Sequence, residues 1–174
     1  SLPIRVVVLE DDPLARVSTR RLLSRDLRTE VLESFSEPAA LLSWLQKRSR
    51  RSLPGQLPHI VLVDPEYEAE PEPLTLVAEL RGQHPAAAIL FLSQYGDREL
   101  LHGAVRAGVD GFALKREIGL AVATAVYLAY HQGPVYSAAL APRLRALAAD
   151  PVVRAWWEGG RSLPRWRAMN HLSS

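Results

Sequence analysis

The stretch Ile60-Val-Leu-Val-Asp64-Pro65 runs four apolar residues, too few for a helix, into a carboxylate that is followed at once by a helix breaker. It reads as a buried parallel strand with Asp64 at its carboxyl end. In open α/β sheets ligands bind in the crevice outside the strand ends, so an acid carried there by a central strand is a candidate site residue. Alone, an Asp before Pro at a strand end does no more than shape a turn. The weight comes from what the neighbouring strands deliver.

Toward the N-terminus, Arg5-Val-Val-Val-Leu9 is a second β-branched run that ends in acid, Glu10-Asp11-Asp12, before Pro13 opens a helical stretch to about Arg25. Pro13 suits the first helical position and Asp12 suits its cap, which accounts for one acid of the three. Thr29 to Phe35 reads as a strand, Pro38 to Gln46 as a short helix with Leu41, Leu42 and Leu45 at core spacing, and Lys47 to Arg51 as a basic loop. Toward the C-terminus, an acidic loop holds Glu66, Glu68, Glu70 and Glu72, and a helix spans about Leu74 to Gln83. Ala87 to Leu92 is a strand that delivers Ser93. Asp97 caps a helix that stops at Gly108, Gly111 to Leu114 is a strand that delivers Lys115, and a long helix runs from about Glu117 to Tyr130. Five strands alternating with helices imply βαβ crossovers, and so a doubly wound parallel sheet.

The 174 residues suffice for one domain with a real core plus an appendage. The absence of cysteine excludes a disulfide scaffold and any thiolate metal site, and no apolar run reaches spanning length, so the expectation is a cytoplasmic protein without a membrane partner. A net charge of +2 makes no general case for nucleic acid, although residues 133–174 carry six Arg against one Asp and one Glu. The histidines, at 59, 84, 102, 131 and 171, lack metal-ligand spacing. No Gly-x-Gly-x-x-Gly or Walker loop follows the first strand, which disfavours a nucleotide enzyme.

The strand ends therefore gather Glu10 and Asp11, Asp64, Ser93 and Lys115 at one edge of one sheet. Clustered carboxylates repel unless a hard cation neutralises them, and Mg²⁺ takes one or two carboxylates, keeps waters and accepts phosphate oxygens. Asp64 is then free to attack phosphorus and form an acyl phosphate, with Lys115 supplying positive charge and Ser93 a hydroxyl donor to a phosphoryl oxygen.

This arrangement resembles the receiver domain of bacterial two-component response regulators over residues 3–131. The residues that carry the resemblance are Val8-Leu-Glu10-Asp11-Asp12-Pro13-Leu14, Asp64, Phe91-Leu-Ser93 and Ala104-Val-Arg-Ala-Gly108-Val-Asp-Gly-Phe112-Ala-Leu-Lys115. The resemblance implies a flavodoxin-like receiver fold with five strands in the order 2-1-3-4-5. It also implies Asp64 as phosphoacceptor assisted by Ser93 and Lys115, and Mg²⁺ held by Glu10, Asp11 (the more direct ligand), Asp64 and the backbone carbonyl of Glu66. Ser93 and Phe112 match the switch pair, in which the hydroxyl moves toward the phosphoryl group and the ring turns inward. The implied partner is a sensor histidine kinase, with a homodimer as a further assembly, and the implied role is a switch in transcriptional control more than an enzyme. One region departs from the pattern: Pro65 directly follows Asp64, and Glu68 stands where the family places a proline. The alternative reading is a phosphorylation-independent pseudo-receiver that acts as an interaction module. A phosphatase of the aspartyl-nucleophile type, with Glu66 as general acid, ranks below both because Pro65 intervenes and no substrate cap is visible.

The tail, Gln132-Gly-Pro-Val-Tyr136-Ser137-Ala-Ala-Leu140-Ala-Pro-Arg-Leu144, resembles the linker of the NarL/FixJ-type, LuxR-like subfamily. It gives a linker helix over 132–149 and a partial or degenerate helical output segment over 150–174. Asp150 to Gly159 reads as one helix, and Ser162 as the cap of another through Met169. A recognition helix would lie after residue 174, so DNA is an expected partner only if a complete helix-turn-helix follows there. Trp156, Trp157 and Trp166, interleaved with arginines, read as packing or as an interaction face ahead of single-stranded nucleic acid binding.

Overall fold

The four residues Ile60–Val63 are buried without exception, as a strand covered on both faces must be, and they form β3 at the middle of the sheet. The structure is a computed structural model that describes residues 2–51 and 54–165. The other strands are β1 (Ile4–Leu9), β2 (Thr29–Phe35), β4 (Ala88–Ser93), β5 (Gly111–Leu114), β6 (Val135–Ser137) and β7 (Arg161–Leu163). They form one sheet in the order β2-β1-β3-β4-β5-β6-β7, and every neighbouring pair is parallel. The helices are α1 (Pro13–Arg25), α2 (Pro38–Arg50), α3 (Pro73–Gln83), α4 (Arg98–Ala107), α5 (Lys115–Ile118), α6 (Val122–Gln132), α7 (Ala141–Leu147) and α8 (Pro151–Gly159).

Period-two alternation along the strands divides the core into two layers. Val7, Leu9, Val61, Val63, Phe91 and Phe112 face α2, α3, α4 and the tail helices α7 and α8. Val6, Val8, Leu62, Leu90 and Ala113 face Leu23 of α1 and the apolar stripe of α6. The helix ends follow local chemistry. Asp12 accepts from the Leu14 N–H at 3.1 Å with Pro13 as the first helical residue, and Asp97 accepts from the Leu100 N–H at 3.2 Å. Gly108 ends α4 at φ +86°, a left-handed conformation that costs glycine little.

The order 2-1-3-4-5 is present as expected, and the sheet then continues beyond five strands. The linker helix expected over 132–149 is instead strand β6, a 3₁₀ turn at Ala138–Leu140 and the short helix α7. Val135 and Ser137 are buried, and Ser137 Oγ accepts from the Leu114 N–H at 2.7 Å, so pairing with β5 satisfies this segment better than a helix would. Ser162, expected as a helix cap, lies in β7 against β6, with Leu163 buried in the α6 layer. The rest of that expected helix, with Trp166, and the His171-Leu-Ser173 segment lie outside the described residues. The long helix expected from Glu117 is broken: α5 stops at Gly119, whose φ of +48° turns the chain before α6 begins. Lys47 to Arg50, expected in a loop, form the last turn of α2, where cations meet the helix's negative end.

Candidate functional site

The sheet register assembles the site. Leu9 pairs with Val63, so Glu10 and Asp64 are each one residue beyond the same rung, and the Asp64 N–H donates to the Leu9 carbonyl at 2.9 Å. Ser93 pairs with Leu114, which puts Lys115 one residue further on. Helix α5 then starts at Lys115 itself, and this fixes the origin of the ammonium-bearing side chain.

Lys115 Nζ donates to Glu10 Oε1 at 2.7 Å and to Asp64 Oδ2, bridging the two carboxylates. Both carboxylates are buried, with Glu10 4% and Asp64 7% exposed. Burial, the hydrogen bond to Asp64 and the charge of Asp64 together push Glu10 up to about 7, against the pull of Lys115. For Lys115, burial opposes the charge, but the hydrogen bonds to Asp64 and Glu10 outweigh it and its pKa is raised. One ammonium thus faces two buried carboxyl groups, and the pair carries excess negative charge once Glu10 loses its proton, above about pH 7. The backbone of the first turn braces the arrangement: Arg16 Nη1 donates to the Glu10 carbonyl at 3.0 Å and the Asp12 N–H to Glu10 Oε2 at 3.3 Å.

Asp11 is exposed, and its carboxylate makes no hydrogen bond or ion pair to a described residue. Among the described residues no group of three or more His, Cys, Asp or Glu side chains is disposed to hold a metal ion. The donor chemistry that remains, two adjacent carboxylates with unneutralised charge, fits a hard cation that completes its shell with water, as Mg²⁺ does.

Ser93 is fully buried; its one hydroxyl proton has two acceptors within reach, Glu66 Oε1 at 2.9 Å and the Tyr95 carbonyl, and its oxygen accepts the Tyr95 N–H at 3.1 Å. Phe112 is fully buried against Phe91, ring centroids 5.9 Å apart. The receiver resemblance gives Glu66 a role only for its backbone carbonyl, and the lower-ranked phosphatase reading one as general acid, yet its side chain does something else. Glu66 Oε1 also accepts the Gln94 N–H at 2.6 Å and the Tyr95 N–H at 3.2 Å, while Oε2 is buried without a partner. Burial and the charge of Asp64 raise its pKa, with the hydrogen bonds from Gln94, Ser93 and Tyr95 pulling the other way. These bonds all fall on Oε1, and Oε2 remains without a partner. The Glu66 N–H donates to Asp64 Oδ1 at 2.8 Å, so one residue supports both the acid and the hydroxyl. The signal for this in the sequence was only an acid two residues after Asp64.

No protein-family model matches the chain. It is 26% identical over 115 residues to the Fimbriae Z protein of Salmonella typhimurium (strain LT2), covering 66% of this chain and spanning half the length of that relative. Among solved structures, a two-component response regulator of the LuxR family from Aurantimonas sp. SI85-9A1 aligns at a TM-score of 0.72 and 19% identity, covering 85% of this chain and 99% of that one. RcsB from Salmonella enterica serovar Typhimurium, bound to promoter P1flhDC in the presence of phosphomimetic BeF3−, aligns at 0.70 and 18%, covering 84% and 68%. The isolated REC domain of RcsB in the apo form aligns at 0.66 and 17%, covering 82% and 98%. The fold of this chain is therefore the receiver fold of response regulators.

Proposed function

We propose that the chain is a response-regulator receiver that accepts a phosphoryl group on Asp64 from a sensor histidine kinase and acts in transcriptional control. The observation that carries this reading is the Lys115 ammonium bridging Asp64 and Glu10 at the carboxyl edge of the sheet. An Asp64 carboxylate oxygen takes the phosphoryl group, Lys115 neutralises charge on it, and the Ser93 hydroxyl donates to a phosphoryl oxygen. Mg²⁺ would be held by Asp11 as the more direct ligand, with Glu10, Asp64 and the Glu66 backbone carbonyl. The ion, when bound, offsets the charge that builds on the transferring group.

Access for a kinase is consistent with α1. Leu14 and Val17 are 82% and 53% exposed beside the acidic turn, an apolar strip flanked by arginines that suits a helical partner of opposite charge. DNA binding is proposed only for a chain in which a complete helix-turn-helix follows residue 174, and a homodimer only as a further assembly. Among the described residues no helix is long and apolar enough to cross a membrane.

Incubation with Mg²⁺ and acetyl phosphate tests the reading by intact mass. One phosphoryl adduct, absent from Asp64→Asn, is expected, and no adduct with either acetyl phosphate or a kinase sinks it. A second reading, a receiver fold that acts without phosphorylation, is favoured by one observation, the Glu66 carboxylate on the Ser93 hydroxyl.

A further inference from the structure

Three donors converge on one oxygen at the end of β4. The Gln94 N–H meets Glu66 Oε1 at 2.6 Å, the Tyr95 N–H at 3.2 Å while also reaching Ser93 Oγ at 3.1 Å, and the Ser93 hydroxyl at 2.9 Å with the Tyr95 carbonyl as the alternative acceptor of its one proton. Successive backbone N–H groups that point into one concavity beside a hydroxyl form an oxyanion seat. A carboxylate there is chemically the nearest thing a protein carries to a phosphoryl oxygen. The seat adjoins Asp64, because the Glu66 N–H donates to Asp64 Oδ1 at 2.8 Å.

We infer that the Glu66 carboxylate fills the seat meant for a phosphoryl oxygen, so that Ser93, Gln94 and Tyr95 are held in their anion-bound arrangement before any phosphoryl group arrives. This rests on the reading of Ser93 as a phosphoryl-oxygen donor. Three features agree with it. The hydroxyl is already engaged at the site rather than turned to solvent, since Ser93 is fully buried. Phe112, the other member of the switch pair, is already inward and fully buried against Phe91. Glu66 Oε2 is buried without a donor, so the seat holds one carboxylate oxygen well and the other poorly, as expected of a stand-in that a better-matched anion displaces. Pro65 contributes by fixing the chain between Asp64 and Glu66, since its ring restricts both its own φ and the residue before it. The consequence is a switch set without a donor, and an Asp64 that reacts only when Glu66 gives way.

The test is amide hydrogen exchange at Gln94 and Tyr95 in the full chain, with and without Mg²⁺ and beryllium fluoride, in the wild type and in Glu66→Ala. The wild type is expected to show slow exchange at both amides that beryllium fluoride does not slow further. Glu66→Ala is expected to exchange there at least tenfold faster, with the β3 and β4 amides unchanged. Equal exchange in the two proteins overturns the inference, as does a marked further slowing of the wild type by beryllium fluoride. Should Glu66→Ala fail to fold, Glu66→Gln keeps one acceptor oxygen without the charge and is expected to fall between the two; exchange identical to wild type overturns the inference. Acetyl phosphate labelling separates seat occupancy from simple bracing: the Asp64 adduct is expected to form at least tenfold faster in Glu66→Ala, and an adduct forming at equal rates in both proteins overturns it. No adduct in any variant counts against phosphoryl acceptance, while the exchange result still decides the seat.

Discussion

The acidic pocket at the carboxyl edge and the tail on the flank of β5 are built on opposite terms. In the pocket, two buried carboxylates share one ammonium, Glu10 titrates near 7, and Glu66 Oε2 has no donor. On the flank, most polar groups are matched, and the one buried flank carboxylate oxygen without a hydrogen bond among the described residues, Glu117 Oε2, lies 3.3 Å from the Arg165 guanidinium. Trp156 Nε1 donates to the Val109 carbonyl at 2.8 Å, the Ala139 N–H to Glu117 Oε1 at 2.9 Å, and Asp150 pairs with His102 and Arg106 while capping α8. Leu140, Leu144 and Val153 fill the space beneath, fully buried. The flank is made to hold, and the pocket keeps charge unsatisfied where a reaction can use it. Uncompensated buried polarity is costly, so it persists where chemistry requires it.

If the flank is part of the core, damage there must unfold the sheet rather than release a tail. Leu144→Ala is expected to cost about 3 kcal/mol, the usual loss when a buried leucine leaves a cavity. Urea unfolding followed by tryptophan fluorescence and by far-ultraviolet circular dichroism checks it, and the two curves are expected to coincide. A fluorescence transition that runs ahead of the other would mean the tail is a separate unit.

Damage to the pocket has a different signature. Lys115→Met removes the one cation among the described residues that pairs with the Glu10 and Asp64 carboxylates, and is expected to cost about 2 kcal/mol at pH 8, below the usual cost of an orphaned buried charge because this ammonium is partly exposed. At pH 5 the loss is expected to be smaller, since Glu10 then carries a proton. A loss independent of pH would place the role of Lys115 in packing alone.

Glu10 itself gives the sharpest pH signature. Its folded pKa of about 7 lies above the ordinary 4.5, so the folded protein holds this proton more tightly than the unfolded chain does. The contribution is fully present below pH 4.5 and is lost as pH rises through 7. Glu10→Gln is expected to remove that downward component from the stability profile, measured by urea midpoints from pH 4 to 8. A profile with the same slope in the variant would locate the titration elsewhere.

The pocket and the flank also differ in how far the sequence disclosed them. β1, β3, β4 and β5 are apolar runs of at least four residues ended by a chemically distinct side chain, so their existence and what they deliver could be read directly, while their order in the sheet came from the family resemblance. β6 and β7 have three residues each, too few for alternation to register, and Val135-Tyr136-Ser137 becomes a strand only because the edge of β5 offers it partners. Gly119 breaks the helix between α5 and α6 inside an apolar pattern that is otherwise continuous. The Glu66 side chain was hidden for a further reason. Its role depends on the turn after β4 curling back to meet it, a contact 28 residues away along the chain at Gln94 that no local pattern encodes.

The smallest expected effect separates the flank's apolar seal from its hydrogen bonds. Trp156→Phe keeps an aromatic ring beside Tyr136 and removes only the indole donor to the Val109 carbonyl. The loss should be about 1 kcal/mol, the net worth of one hydrogen bond. Val109 follows Gly108 at the α4 to β5 turn, the link between α4 and the strand that carries Phe112. The tail therefore grips that turn at two points, the Trp156 indole on the Val109 carbonyl and the Val135 N–H on the Asp110 carbonyl at 3.0 Å. Amide exchange at Asp110 and Gly111, compared between wild type and Trp156→Phe, is expected to rise while exchange in β1 and β3 stays unchanged. A rise spread evenly over the sheet would mean that Trp156 acts only through global stability, and that the flank holds the sheet's edge without any particular hold on the α4 to β5 turn.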